Sequence, residues 1–179
     1  MRPDRKRNRL LGFDYSQDAF YFVTCCVKEM ACVFGEVINE EMHLNQFGQI
    51  AERQWFWLLE QYPYLSSHAF VVMPNHVHAI LEINKQGVLM LGEDQECEGT
   101  GRDLSVLLSW GGRKVKSLSQ IMGAYKTTTS KLIRLAGMPD FAWHRSFHDH
   151  IIRDEKSFRN IKHYIENNPA KWEEDTFRR

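Results

Sequence analysis

The chain has no paired cysteines, no long apolar run and no net charge, and each absence removes a class of protein. Cys25, Cys26, Cys32 and Cys97 show no Cys-x-x-Cys spacing. They read as reduced thiols of a cytosolic protein, not as a zinc knuckle or a disulfide framework. The apolar runs, such as Ala69 to Met73 and Val106 to Leu108, fall far short of a membrane helix. The basic N-terminus leads through Leu10-Leu11 to Asp14 with no apolar segment, so no secretory signal is expected. At 179 residues the chain suits one domain over 1–179 with a real core. It is too short for an eight-stranded barrel of roughly 250 residues, which argues against the large metal hydrolases built on that plan.

Basic and acidic residues number 23 each, which alone would argue against a polyanionic partner. Their distribution argues otherwise. The N-terminal arm (about 1–13) carries Arg2, Arg5, Lys6, Arg7 and Arg9, and the stretch from Leu104 to Pro139 has several lysines and arginines and no acid. Acids gather instead at 93–98 and 173–175. Segregation of this kind can build a basic face on a neutral protein. For either basic segment alone, a solvated helix face or a loose tail is as good an account.

Patterning predicts a strand at Ala19 to Val27, dense in aromatic and β-branched residues, then a small hairpin around 34–38 and 42–44. A helix from Gly48 to Tyr62 is stopped by Pro63. Strands at His68–Met73 and His76–Ile83 are joined by a tight turn at Pro74-Asn75. From Asn84 to about Lys116, six glycines and an acidic cluster mark an insertion. A helix follows over Ser117 to Ala136, then a strand over Ser146 to Ile152 and a last helix from Glu155 to about Asn168, capped by Asp154. This order predicts an α+β protein on a ferredoxin-like split βαβ plan. Its four-stranded antiparallel sheet would carry helices on one face and an added C-terminal helix.

The segment Met73-Pro74-Asn75-His76-Val77-His78-Ala79-Ile80 is the most informative. Successive strand side chains alternate faces, so His76 and His78 share one, and two converging imidazoles are half of a divalent-metal site. An isolated pair of this kind is more often two satisfied or surface histidines. On the last helix Phe158, Ile161 and Ile165 form the apolar stripe, while Tyr164 and Asn168 sit four apart on its edge and can point to the same spot. Standing alone they would be a core-rim tyrosine and a helix-end asparagine. His144, His148 and His150 invite a zinc reading, but the alternation of His148 and His150 with Asp149 favours the sheet surface or a place beside a nucleic-acid backbone. Tyr125, a rival nucleophile, falls in the apolar stripe of its helix and reads as structural.

The blocks VVMPNHVHAIL, WHRSFHDHIIRDE and YIENNPAKWEED, in that order and with LNQFG and YFVTCCV before them, resemble the single-tyrosine HUH transposases. The match is to the REP-associated tyrosine transposase branch and spans about Asp14 to Asp175. The resemblance implies that His76 and His78 hold a divalent ion, Mg2+ or Mn2+, with Asn168 as a third ligand and Tyr164 as the nucleophile. The activity implied is metal-dependent cleavage and strand transfer of single-stranded DNA at hairpin-associated sites, through a 5′-phosphotyrosine. A tyrosine with a pKa of about 10 needs activation or a metal-polarised target for this. Expected DNA contacts are Arg113, Lys114, Lys116, Lys126, Lys131, Arg145, His148 and Arg153, with Trp110 and Trp143 as exposed aromatics for base stacking. The expected protein is cytoplasmic, bound to no membrane, and a monomer or homodimer. A catalytically silent nucleic-acid-binding module on the same fold is the alternative.

Overall fold

The computed structural model describes Leu10 and residues 12–85 and 115–178. Most of the basic arm, including all of its arginines and its lysine, and nearly all of the expected insertion, with Cys97, Trp110, Arg113 and Lys114, lie outside the described residues.

Four strands form one antiparallel sheet: β1 (Ala19–Cys26), β4 (Leu65–Met73), β5 (His76–Ile83) and β6 (His148–Ile152), in the order β4-β5-β1-β6. A separate hairpin pairs β2 (Gly35–Ile38) with β3 (Glu41–Leu44). Its turn residues Asn39 and Glu40 are both at positive φ, the twist a two-residue hairpin turn requires. Among the described residues three α-helices accompany the strands: α1 (Gln46–Gln61), α2 (Leu118–Leu135) and α3 (Glu155–Glu166).

Each helix start is chemically marked. Asn45 accepts hydrogen bonds from the Phe47 and Gly48 amides, Ser117 and Gln120 form a capping box, and Asp154 accepts from the Ser157 amide at 2.8 Å. Loss of such a cap costs about 1 kcal/mol. The Asp154 cap has a further consequence, because it sets the start of α3 and so the direction in which each of its side chains points.

Both faces of the sheet are covered, not one as expected. Tyr21, Val23, Cys25, Val77, Ala79, Leu81 and Ile83 face α1 and α2, whose Trp55, Leu58, Ile121, Tyr125 and Ile133 complete the larger core. Phe20, Phe22, Ile80, Ala69 and Ile152 face the other way, and α3 covers them with Phe158, Ile161 and Ile165. Strand β1 is apolar on both sides, and water on either face would leave its rings exposed. Docking α3 on the second face places it beside the even-numbered residues of β5, which include both histidines.

Strand β4 starts at Leu65, three residues earlier than the pattern suggested. It carries an irregularity between Ser67 and Ala69, which breaks the alternation a sequence reading relies on. Helix α3 ends at Glu166, and a 3-10 segment over Pro169–Glu174 turns the chain back toward the sheet.

Candidate active site

In the sheet register His76 lies opposite Cys26 and Met73, and His78 opposite Thr24 and Val71. Both imidazoles point to the α3 face and are 0% and 1% exposed, with their Nε2 atoms 3.0 Å apart. Their other nitrogens are held from behind. His76 Nδ1 donates to Asn75 Oδ1 at 2.7 Å, and His78 Nδ1 lies 2.8 Å from Thr24 Oγ1. Partners of this sort set the tautomer and ring orientation of metal-binding histidines.

Burial holds both rings neutral. It lowers the His76 pKa to about 4, with the nearby Asp175 carboxylate opposing the shift, and lowers His78 well below its ordinary value, with His76 adding to the effect. Neutral imidazole is the ligand form.

Helix α3 and the segment after it close the site. Tyr164, 39% exposed, sets its hydroxyl 3.2 Å from His78 Nε2, and its ring packs against Phe22 and His78. The tyrosine pKa is raised by burial and by Asp175, while a hydrogen bond from the Asn168 side chain works against the rise. Asp175, its side chain 2% exposed, brings Oδ2 to 3.9 Å from His76 Nε2. Phe177 lays its ring 4.8 Å from that of His76 and 5.7 Å from that of His78.

Ligand atoms of His76, His78 and Asp175 all lie within 4.8 Å of one another, the one such group among the described residues. Asp175 Oδ2 and Asn168 Oδ1 are both buried without a hydrogen-bond partner. A buried acceptor left in that state costs about 1–3 kcal/mol. Two imidazole nitrogens and a carboxylate oxygen facing one point are a donor set for a divalent cation, and the residues present therefore fit one. Asp175 was not foreseen as a ligand. The expected third ligand, Asn168, is buried next to Tyr164 and bonds to it.

The neutral histidines predict how stability depends on pH. Unfolded imidazoles take up protons near pH 6.5, whereas the folded ones resist protonation down to about pH 4 for His76 and well below the ordinary value for His78. Stability is therefore full above pH 6.5 and falls as the pH drops through about 4. The loss is up to about 3 kcal/mol for His76. Urea unfolding at pH 7, 6, 5 and 4 should show this decline. A variant with alanine at both positions should show a shallower one, and equal slopes would remove the histidines as its source.

The remaining predicted residues are scattered. His148 lies opposite Thr24 on β6 and faces the site side, exposed, its ring 6.5 Å from that of Phe177. Arg145 and Arg153 are exposed just before and after β6. Lys131 is exposed on α2, across the sheet from the histidines, and Lys116 lies over the Tyr62 ring at 5.1 Å. Lys126 is half-buried and its Nζ donates to the His144 and Arg145 carbonyls at 2.7 and 3.2 Å. Its ammonium is thus engaged in holding the loop before β6. Trp143 is not an exposed stacking platform: it is buried against Phe34, Tyr125 and Phe141. Tyr125 is wholly buried and donates to the Ala51 carbonyl.

The chain matches no protein-family profile. It is 34% identical over 175 residues to an uncharacterised protein of Haemophilus influenzae, covering 96% of this chain and 91% of that one. Among solved structures it resembles in fold a REP-associated tyrosine transposase bound to a REP hairpin. That match has a TM-score of 0.56 and 18% identity, covering 94% of this chain and 74% of the other.

Proposed function

The chain belongs to the same family as the uncharacterised Haemophilus influenzae protein, and we propose that it is a metal-dependent endonuclease and strand transferase of single-stranded DNA. The observation that carries this reading is the Tyr164 hydroxyl, 3.2 Å from His78 Nε2, at the edge of a buried group of cation-binding atoms. The fold shared with a hairpin-bound transposase supports it. The order β4-β5-β1-β6 also fits the ferredoxin-like plan expected for such an enzyme.

His76, His78 and Asp175 would hold the ion, and the Asn168 amide oxygen, buried without a partner, is a candidate further ligand. When bound, the ion supplies charge to polarise a phosphodiester. Tyr164 is reachable from solvent while both imidazoles are not, so a DNA backbone would meet the site from the tyrosine side. The Tyr164 oxygen forms a bond to phosphorus, the bond from phosphorus to the 3′ oxygen breaks, and the phenolic proton is lost as the departing 3′ oxygen gains one. The product is a 5′-phosphotyrosine and a free 3′-OH. One phosphodiester replaces another, so the step can be reversed by a new 3′-OH without an external energy source. Asn168 stabilises the phenolate as it forms, the sense in which its hydrogen bond already acts.

Single-stranded oligonucleotides carrying hairpins, labelled at the 5′ or the 3′ end and incubated with Mg2+ or Mn2+, should yield a shortened strand and a protein-linked strand on a denaturing gel. Binding without either product would leave a nucleic-acid-binding module in place of an enzyme.

A further inference from the structure

Asn75, in the turn between β4 and β5, is fully buried, and its side chain is committed at both ends. Its Nδ2 donates to the Met30 carbonyl at 3.2 Å and to the Phe177 carbonyl at 2.7 Å. Two acceptors at the nitrogen fix the amide's orientation, so Oδ1 is the atom facing His76 Nδ1 at 2.7 Å. A carbonyl oxygen only accepts. His76 Nδ1 therefore carries the hydrogen, and the lone pair sits on Nε2, the nitrogen that faces His78 and Asp175. The residue is itself anchored, since the Val27 amide donates to the Asn75 carbonyl at 2.8 Å.

The other end of this connection is the C-terminal segment. Phe177, whose carbonyl Asn75 holds, donates its own amide hydrogen to Asp175 Oδ1 at 2.7 Å. That bond engages one carboxylate oxygen and leaves Oδ2, the unpartnered one, beside His76. A single amide thus orients two members of the site from opposite sides. Through Oδ1 it sets the imidazole of β5, and through Nδ2 and Phe177 it sets the carboxylate of a segment about a hundred residues later in the chain.

We propose that Asn75 is a positioning residue that holds His76 and the Asp175-bearing segment in one arrangement, so that binding of a divalent cation and seating of residues 172–178 are coupled. The proposal rests on the reading of His76, His78 and Asp175 as a metal site. Coupling of this kind is reciprocal: the ion holds the segment in place, and the seated segment raises affinity for the ion.

The test pairs Mn2+ titration, read by electron paramagnetic resonance of the free ion, with tryptic cleavage after Lys171, which is exposed immediately before the buried Trp172. In the wild-type protein Mn2+ slows that cleavage. Asn75→Ala weakens Mn2+ binding by about 10- to 100-fold and leaves Lys171 open with or without the ion. Asn75→Asp keeps the acceptor for His76 Nδ1 but not the donor to Phe177. It therefore recovers part of the affinity while Lys171 in the ion-free protein is cut as fast as in Asn75→Ala. If Asn75→Ala does not fold, Asp175→Asn, nearly isosteric, carries the test and abolishes the slowing of cleavage by Mn2+. Wild-type affinity in Asn75→Ala, or wild-type binding of Mn2+ with no effect on Lys171, overturns the coupling and leaves the metal site standing. No Mn2+ binding by the wild-type protein overturns the metal site itself and the proposal with it.

Discussion

Replacing both His76 and His78 with alanine abolishes Mn2+ binding and lowers cleavage of single-stranded DNA by at least about a thousandfold, while the chain stays folded. Both side chains are inaccessible to water, so the loss cannot be made up by solvent-exposed groups nearby. Truncation opens a cavity and strands the Asn75 acceptor, which costs a few kcal/mol. It also removes two Nε2 atoms held 3.0 Å apart, which offsets part of that cost. Thermal melting provides an independent measure. Mn2+ at a hundred times its dissociation constant should stabilise the wild-type protein by about 2.7 kcal/mol and the double variant not at all. Cleavage by the variant at limiting ion, undiminished from wild type, would remove both histidines from the site.

The histidine pair was legible because it depends on a single period. A strand alternates faces every residue, and once 76–83 is a strand His76 and His78 must share one. Tyr164 was legible for a similar reason, since Phe158, Ile161 and Ile165 define the buried side of α3 and leave residue 164 on its edge. Periodicity says that a helix buries a stripe, however, and not which face of a sheet receives it. The placement of α3 opposite α1 and α2 was missed although a signal was present: Ala19 to Val27 is apolar without alternation, as a strand covered on both faces should be.

Asp175 was missed for a different reason. It ends the run Glu173-Glu174-Asp175, which reads as a solvated acidic patch, and its approach to His76 requires the reversal after Asn168 and the 3-10 segment from Pro169 to Glu174. No repeat in the sequence encodes that return. Trp143 erred in the opposite direction. Followed by His144 and Arg145, it looks exposed, but its backbone bridges to Val27 and its ring fills the space between Phe34, Tyr125 and Phe141. Local composition reports on water where chain geometry is regular, and both errors fall in irregular segments.

Tyr164→Phe loses both the cleaved strand and the covalent adduct, again by at least about a thousandfold, while hairpin binding survives. The change deletes one oxygen and leaves the ring against Phe22 and His78, so the packing of α3 on the sheet is kept. The hydrogen bond forfeited lies at a rim that water reaches, and stability should move by no more than about 1 kcal/mol. Tyr125→Phe supplies the matched control. Its hydroxyl is fully buried and bonded to the Ala51 carbonyl, so the control should lose more stability than Tyr164→Phe yet keep its adduct. The two variants therefore separate chemistry from folding in opposite senses, one silent and stable, the other active and weakened. An adduct still formed by Tyr164→Phe, or lost only in Tyr125→Phe, would mean that the oxygen beside His78 is not the one that attacks phosphorus.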